Sequence, residues 1–259
     1  MKKSVCIEML FTEVAFEDRF HLTKESGFDY IEFWSWQDKD IQKIRELCQV
    51  HDLKIASFSG DQDFSMVDKR QKEDYIAFVK KSIAIAKFLS CDHLVIHSNA
   101  LGEKGVVINH YPNIADTHKI AAMLDVLKTL ATEAEKSKVI LALEALNTTV
   151  DHRGNFLTST KEAAELIRSV NSPYIKILYD VYHMQIMEGN IINTLKTYID
   201  AIGYIHIADV PGRHEPGTGE INFANIMKTL KKLKYDGMLG FELVPQHDSK
   251  KVVHILANL

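Results

Sequence analysis

The chain has 259 residues, of which 46% are apolar and 25% charged, and its formal net charge is −4. These values belong to a soluble globular protein and exclude a disordered tail, a collagen-like fibre and a disulfide-stapled miniprotein. A mildly acidic balance offers little to a nucleic-acid backbone, and no window approaches the roughly 20 apolar residues that span a bilayer, so neither partner is expected.

Cys6, Cys48 and Cys91 are an odd count with no CxxC pair, which fits a reducing compartment and an expected cytoplasmic location. Glu8 interrupts the apolar run after Lys2 and Lys3, where a signal peptide needs roughly 7–15 uninterrupted apolar residues.

Short runs rich in Val, Ile and Phe then alternate with longer stretches of helical spacing. Ser4–Met9 comes first, and Tyr30–Phe33 is followed by a helix-like Asp38–His51. Lys54–Phe58 precedes Lys69–Leu89, and His93–His97 precedes Asn113–Lys136. Val139–Glu144 leads to a helix over Ser159–Val170, with N-cap candidates in Thr158, Ser159 and Thr160. Ile175–Tyr179 leads to Glu188–Ile199, and Tyr204–Ile207 to Asn222–Leu233, which Asn222 is placed to cap. Met238–Glu242 ends the series. Eight strand signals in 259 residues give about 32 residues per unit, the size of a β-α repeat. A doubly wound sheet would alternate in the same way, but no Gly-rich phosphate-binding motif follows the first run. The sequence therefore predicts an α/β protein, a single (β/α)8 TIM barrel occupying residues 1–259 as one domain.

Active sites of such barrels form at the C-terminal ends of the strands. Glu144 ends the fifth run, Asp180 follows the sixth, His206 lies late in the seventh and Glu242 ends the eighth. One acidic residue at a strand end commonly caps a helix or pairs with a base. Four ligand-type residues on successive strands are harder to explain that way, because their carboxylates would repel one another without a cation. Three carboxylates and one imidazole suit Mn²⁺, Mg²⁺ or Co²⁺ better than a structural zinc.

His183, just past the sixth strand, is within reach of a substrate oxygen. The loop Asp209–Glu220 carries two Pro, three Gly and Arg213, a cation available to a substrate oxygen or carboxylate. Trp34 and Trp36 either wall a pocket or pack. His97, Asn99 and Glu8 are further candidates for lining it, or for structural hydrogen bonds. His21, His51, His118, His152, His247 and His254 read as surface, as does the cluster Lys228, Lys231, Lys232 and Lys234.

The segments FTEVAFEDRF (Phe11–Phe20), LEALN (Leu143–Asn147), YHMQIMEGN (Tyr182–Asn190) and IADVPGRHEPGTGEIN (Ile207–Asn222) resemble the hydroxypyruvate isomerase family. That family belongs to the xylose-isomerase-like TIM barrels, alongside sugar epimerases and endonuclease IV type enzymes. The resemblance covers nearly the whole chain. It implies a metal-dependent isomerase or epimerase of a small hydroxy-ketone, 2-oxo acid or sugar. Glu144 and Glu242 would be the proton donor/acceptor pair as well as metal ligands, Asp180 and His206 would complete the metal site, and His183 and Arg213 would contact substrate. His206 stands where hydroxypyruvate isomerases tend to carry Gln and the epimerase branch carries His, and Phe33–Asp38 also departs from the isomerase pattern. Ketose 3-epimerisation is thus the main alternative. An abasic-site endonuclease and a non-catalytic sugar-binding barrel are remoter ones. Association into a homo-oligomer is left open by the sequence.

Overall fold

Eight strands pair side by side, all parallel: β1 (Lys2–Cys6), β2 (Tyr30–Phe33), β3 (Lys54–Ser59), β4 (His93–Ile96), β5 (Ile140–Glu144), β6 (Ile175–Asp180), β7 (Ile202–Ile207) and β8 (Met238–Phe241). β8 returns to β1 with Ser4 opposite Gly240, which closes the barrel. The computed structural model describes residues 1–259, and they form the expected (β/α)8 barrel. Both faces of each strand are covered, which is why the strands read as nearly unbroken apolar runs. Inside the barrel, Ala56, Val95, Ala142, Leu178, Tyr204 and Met238 pack together, one from each of β3 to β8. Outside it, a second core of 63 buried residues fills the space between strands and helices.

The helices are α1 (Asp18–Glu25), α2 (Ile41–Val50), α3 (Lys72–Leu89), α4 (Asp116–Ser137), α5 (Thr160–Val170), α6 (Val181–Met187), α7 (Ile191–Tyr198), α8 (Phe223–Lys232) and α9 (Ser249–Ala257). In α8 the expected face is buried through Phe223, Ile226, Met227 and Leu230, while Lys228, Lys231 and Lys232 stay wet. Asn222 caps it by accepting the Asn225 N–H at 3.0 Å. The start of α5 differs from expectation. Ser159 makes no side-chain cap bond, and the Thr160 N–H instead donates to the Glu188 carboxylate at 2.7 Å.

Other departures have local causes. β1 stops at Cys6, so Glu8 lies in the turn beyond it, 2.7 Å from Lys39 Nζ. The helix expected over Glu188–Ile199 is α7, which begins only at Ile191 because Gly189 (φ 60°) and Asn190 (φ 51°) turn left-handed before it, and α6, ahead of that turn, is an additional short helix. α1 has only Phe20 and Thr23 buried, too little periodicity to register in the sequence. No helix is long and apolar enough to cross a membrane.

His93 enters the barrel at the start of β4, its ring 5.6 Å from that of Tyr204. Burial pushes this imidazole down to about 4. Its folded value is below its unfolded one, so the unfolded chain alone takes up the proton as pH falls through 6.5 toward 4. Stability contributed by the neutral ring is therefore intact near pH 7 and lost on acidification. Urea unfolding at pH 7 and pH 5 should show His93→Gln losing less stability than the wild type, by on the order of 1–2 kcal/mol.

Candidate metal centre and active site

Four consecutive strands deliver the four expected ligands to one rim. Glu144 ends β5, Asp180 ends β6, His206 is the fifth residue of β7 and Glu242 directly follows β8. His206 Nδ1 lies 3.3 Å from Glu242 Oε2, 3.9 Å from Glu144 Oε1 and 3.9 Å from Asp180 Oδ2. Glu144 Oε1, Asp180 Oδ2 and His206 Nδ1 are all buried without a hydrogen-bond partner. Buried polar atoms are nearly always satisfied, so three orphans facing one point fit a divalent cation held there. Asp180 divides its roles by atom. Oδ1 accepts the N–H groups of Tyr182 (2.7 Å) and His183 (3.2 Å) to cap α6, and Oδ2 is left for the centre.

The electrostatics describe the same demand for positive charge. Burial opposes a charged imidazole, yet Glu32 and Glu242 lift His206 well above the ordinary histidine range. Burial pushes Asp180 up to about 7, with Arg213 and His206 opposing and Glu144 reinforcing the shift. Against the penalty of burial, Arg213, His206 and the Trp34 indole hold the Glu242 carboxyl well below the usual carboxylate range. The field that draws a proton onto His206 is the field a divalent cation would meet.

Two buried acids of the site, Glu32 and Asp61, were missed in the sequence. Glu32, in β2, is 3% exposed and lies behind His206, its Oε1 3.4 Å from His206 Nε2. Its other oxygen accepts from Ser4 Oγ (3.1 Å), Ser57 Oγ (3.3 Å) and the Tyr204 hydroxyl. A carboxylate on the back nitrogen of a ligating imidazole fixes ring orientation and leaves Nδ1 for the metal. Gly240 makes the room. A Cβ there would lie 2.6 Å from a Glu32 carboxylate oxygen and 2.7 Å from the His206 ring. The signal was a Glu inside an otherwise apolar strand.

The remaining candidates divide between the rim, which His97, His183, Trp34, Arg213 and Glu8 line, and the packed interior. His97 is buried with Nδ1 3.0 Å from Asp61 and Nε2 3.1 Å from Glu144 Oε2. Against burial, Asp61 and Glu144 lift it to about 10. Both of its nitrogens are thus committed, so His97 clamps Glu144 while its ring lines the cavity. Asp61 is fixed in turn by the Tyr75 hydroxyl at 2.8 Å. Trp34 is 46% exposed and donates its indole N–H to Glu242 Oε1 at 2.8 Å, so it walls the mouth. Trp36 packs, its indole bonded to Ser82. Asn99 is structural, its side chain bonded to Ser98, Asn109 and Phe156. His152, expected on the surface, is buried against Gly105 and the His183 ring.

Arg213 binds Glu242, approaches Asp180 at 3.8 Å and covers the Tyr182 ring. Its loop is built around fully buried Asp209, whose carboxylate accepts the N–H groups of Val210, Gly217, Gly219 and Ile221. The Arg213 carbonyl accepts the Val244 N–H at 2.8 Å, which ties the loop to the end of β8.

A sequence profile described as "Xylose isomerase-like TIM barrel" matches residues 20–258. The chain is 31% identical to the hydroxypyruvate isomerase of Escherichia coli, over 95% of this chain and 94% of that protein. An "AP endonuclease, family 2" from Brucella melitensis superposes with a TM-score of 0.89 at 24% identity, covering 99% and 98% of the two chains. A D-allulose 3-epimerase from Methylomonas sp. does so with a TM-score of 0.82 at 21% identity, covering 100% and 96%. The chain shares the barrel of these proteins from end to end. It belongs to the xylose isomerase-like TIM barrel family.

Gly240→Ala should displace Glu32 and His206 while leaving the barrel folded. Calorimetric titration with Mn²⁺ is expected to show affinity reduced about 10- to 100-fold, the scale for disturbing a ligand's supporting contacts; unchanged affinity would remove Glu32 and Gly240 from the metal site.

Proposed function

We propose that the chain is a divalent-metal-dependent isomerase of a small hydroxy-ketone or sugar, acting through a cis-enediolate, with Mn²⁺, Mg²⁺ or Co²⁺ held by Glu144, Asp180, His206 and Glu242. The observation that carries this reading is the convergence of buried, partnerless ligand atoms from Glu144, Asp180 and His206 beside Glu242. Bound there, the ion would act as a Lewis acid and stabilise the negative charge that develops when a proton leaves the carbon beside a carbonyl.

The chain's own groups do the rest. Glu144 and Glu242 serve as the proton acceptor and donor, one removing the proton and the other returning it to the neighbouring carbon or to the opposite face. His97 holds Glu144 in place. Arg213 and the Trp34 indole hold Glu242, and the Trp34 ring also excludes water from one side. His183 hydrogen-bonds a substrate oxygen.

A second reading, ketose 3-epimerisation, is favoured by the cavity. It encloses about 960 Å³, and nine Asp or Glu side chains line it against three Lys or Arg. That is far more than a three-carbon acid fills. Arg213 is already paired with Glu242 and Lys39 with Glu8, while Lys104 stands exposed at the rim. Such a lining suits a neutral polyhydroxy-ketone better than an anionic 2-oxo acid.

Deuterium exchange from solvent, followed by NMR with Mn²⁺ added and removed again, tests both. Metal-dependent exchange beside a carbonyl is expected, and its occurrence with hydroxypyruvate or with free ketoses chooses between the readings. Absence of exchange with every substrate despite bound metal would contradict both. Glu144→Gln and Glu242→Gln should fold normally and each lose at least about 10²-fold in turnover.

A further inference from the structure

Asn147 lies three residues beyond Glu144, fully buried in the loop after β5. Its side-chain oxygen accepts the backbone N–H groups of Val150 and Asp151, both at 3.0 Å. Those two donors fix which end of the amide is oxygen. Nδ2 is therefore the atom that faces Asp151 Oδ2 at 2.7 Å and His183 Nδ1 at 2.7 Å. An amide nitrogen only donates, so His183 Nδ1 must accept and the ring proton belongs on Nε2. A proton on Nδ1, whether in the other tautomer or in the imidazolium, would set hydrogen against hydrogen. Asp151 is held for this by the Tyr182 hydroxyl, which donates to the same oxygen at 2.9 Å.

The consequence falls on the metal centre. His183 Nε2 points inward, 3.6 Å from Asp180 Oδ2. By distance alone, Glu144, Asp180 and His183 form a second group able to hold an ion, sharing Asp180 with the group Asp180, His206 and Glu242. A protonated ring nitrogen has no lone pair to give, so the second group lacks its imidazole ligand.

We infer that Asn147 is a positioning residue that holds His183 as the neutral Nε2–H tautomer, which keeps His183 out of the metal's ligand set and aims an N–H donor at the substrate. This rests on the metal-dependent reading above. Asn147 touches no reacting atom; it acts through the imidazole.

The test is ¹⁵N-histidine NMR on the whole protein, metal-stripped and then loaded with diamagnetic Mg²⁺, together with the Mn²⁺ content after dialysis. Wild type is expected to show His183 protonated on Nε2 only in both forms, and to retain one Mn²⁺ per chain. The double variant N147D/D151N reverses the 147–151 hydrogen bond and presents a carboxylate to Nδ1. It is expected to move the proton to Nδ1, admit a second Mn²⁺ per chain and lose about 10²-fold in turnover, the scale for removing one aimed donor. N147A, which adds no charge, is expected to lose the single-tautomer signature. A wild-type ring protonated on Nδ1 would overturn the inference, as would N147D/D151N keeping both Nε2–H and a single Mn²⁺. The Nε2–H signature in a wild type that binds no Mn²⁺ would support the role of Asn147 while overturning the metal-dependent reading.

Discussion

Mutual repulsion among Glu32, Glu144, Asp180 and Glu242 is the constraint around which the mouth of this barrel is arranged. All four come from strand ends or strand interiors, and all four approach one imidazole, that of His206, within 4 Å. Two like charges about 4 Å apart cost about 4 kcal/mol at the effective dielectric of a protein site. Three basic side chains are turned toward that charge. Arg213 leans on Glu242 and Asp180, His97 bridges Asp61 and Glu144, and His206 sits among them all. Orphaned oxygens remain even so, and a divalent cation is what they fit.

The fold meets this constraint by dividing single side chains between structure and chemistry. Asp180 uses one oxygen to start α6 and leaves the other facing inward. Glu32 is fastened by Ser4, Ser57 and Tyr204 through one oxygen and faces His206 with the other. Tyr204 is itself part of the apolar layer inside the barrel, so the packed interior directly supports the polar rim. Gly240 shows the same economy of space: the missing side chain in β8 is where the Glu32–His206 contact lies.

Much of this was legible because side-chain chemistry changed at the ends of apolar runs. Glu144, Asp180, His206 and Glu242 stand out as polar residues closing β5 to β8, and all four reach one rim. Arg213 was legible as the cation of a long Pro- and Gly-bearing loop, although the buried Asp209 that organises it looked like any turn residue. Glu32 was hidden because it sits within its strand, where a lone charge reads as an exception and not as a rim position. The partners of His97 and the role of Asn147 were not legible at all. They depend on Asp61, 36 residues before His97, and on His183, 36 residues after Asn147, and only the closed barrel supplies those partners. α1 and α6 were lost for want of periodicity in short segments.

The carboxylate cluster is proposed to be built around one divalent ion. Thermal unfolding of chelator-treated protein, repeated with Mn²⁺ in excess, tests it most directly. A saturable rise in Tm at one ion per chain is expected. At a thousandfold excess over Kd the gain is about 4 kcal/mol, which for a chain of this size is on the order of 10 °C. An unchanged Tm, with no Mn²⁺ retained after dialysis, would mean that protons alone neutralise the cluster and would contradict the account.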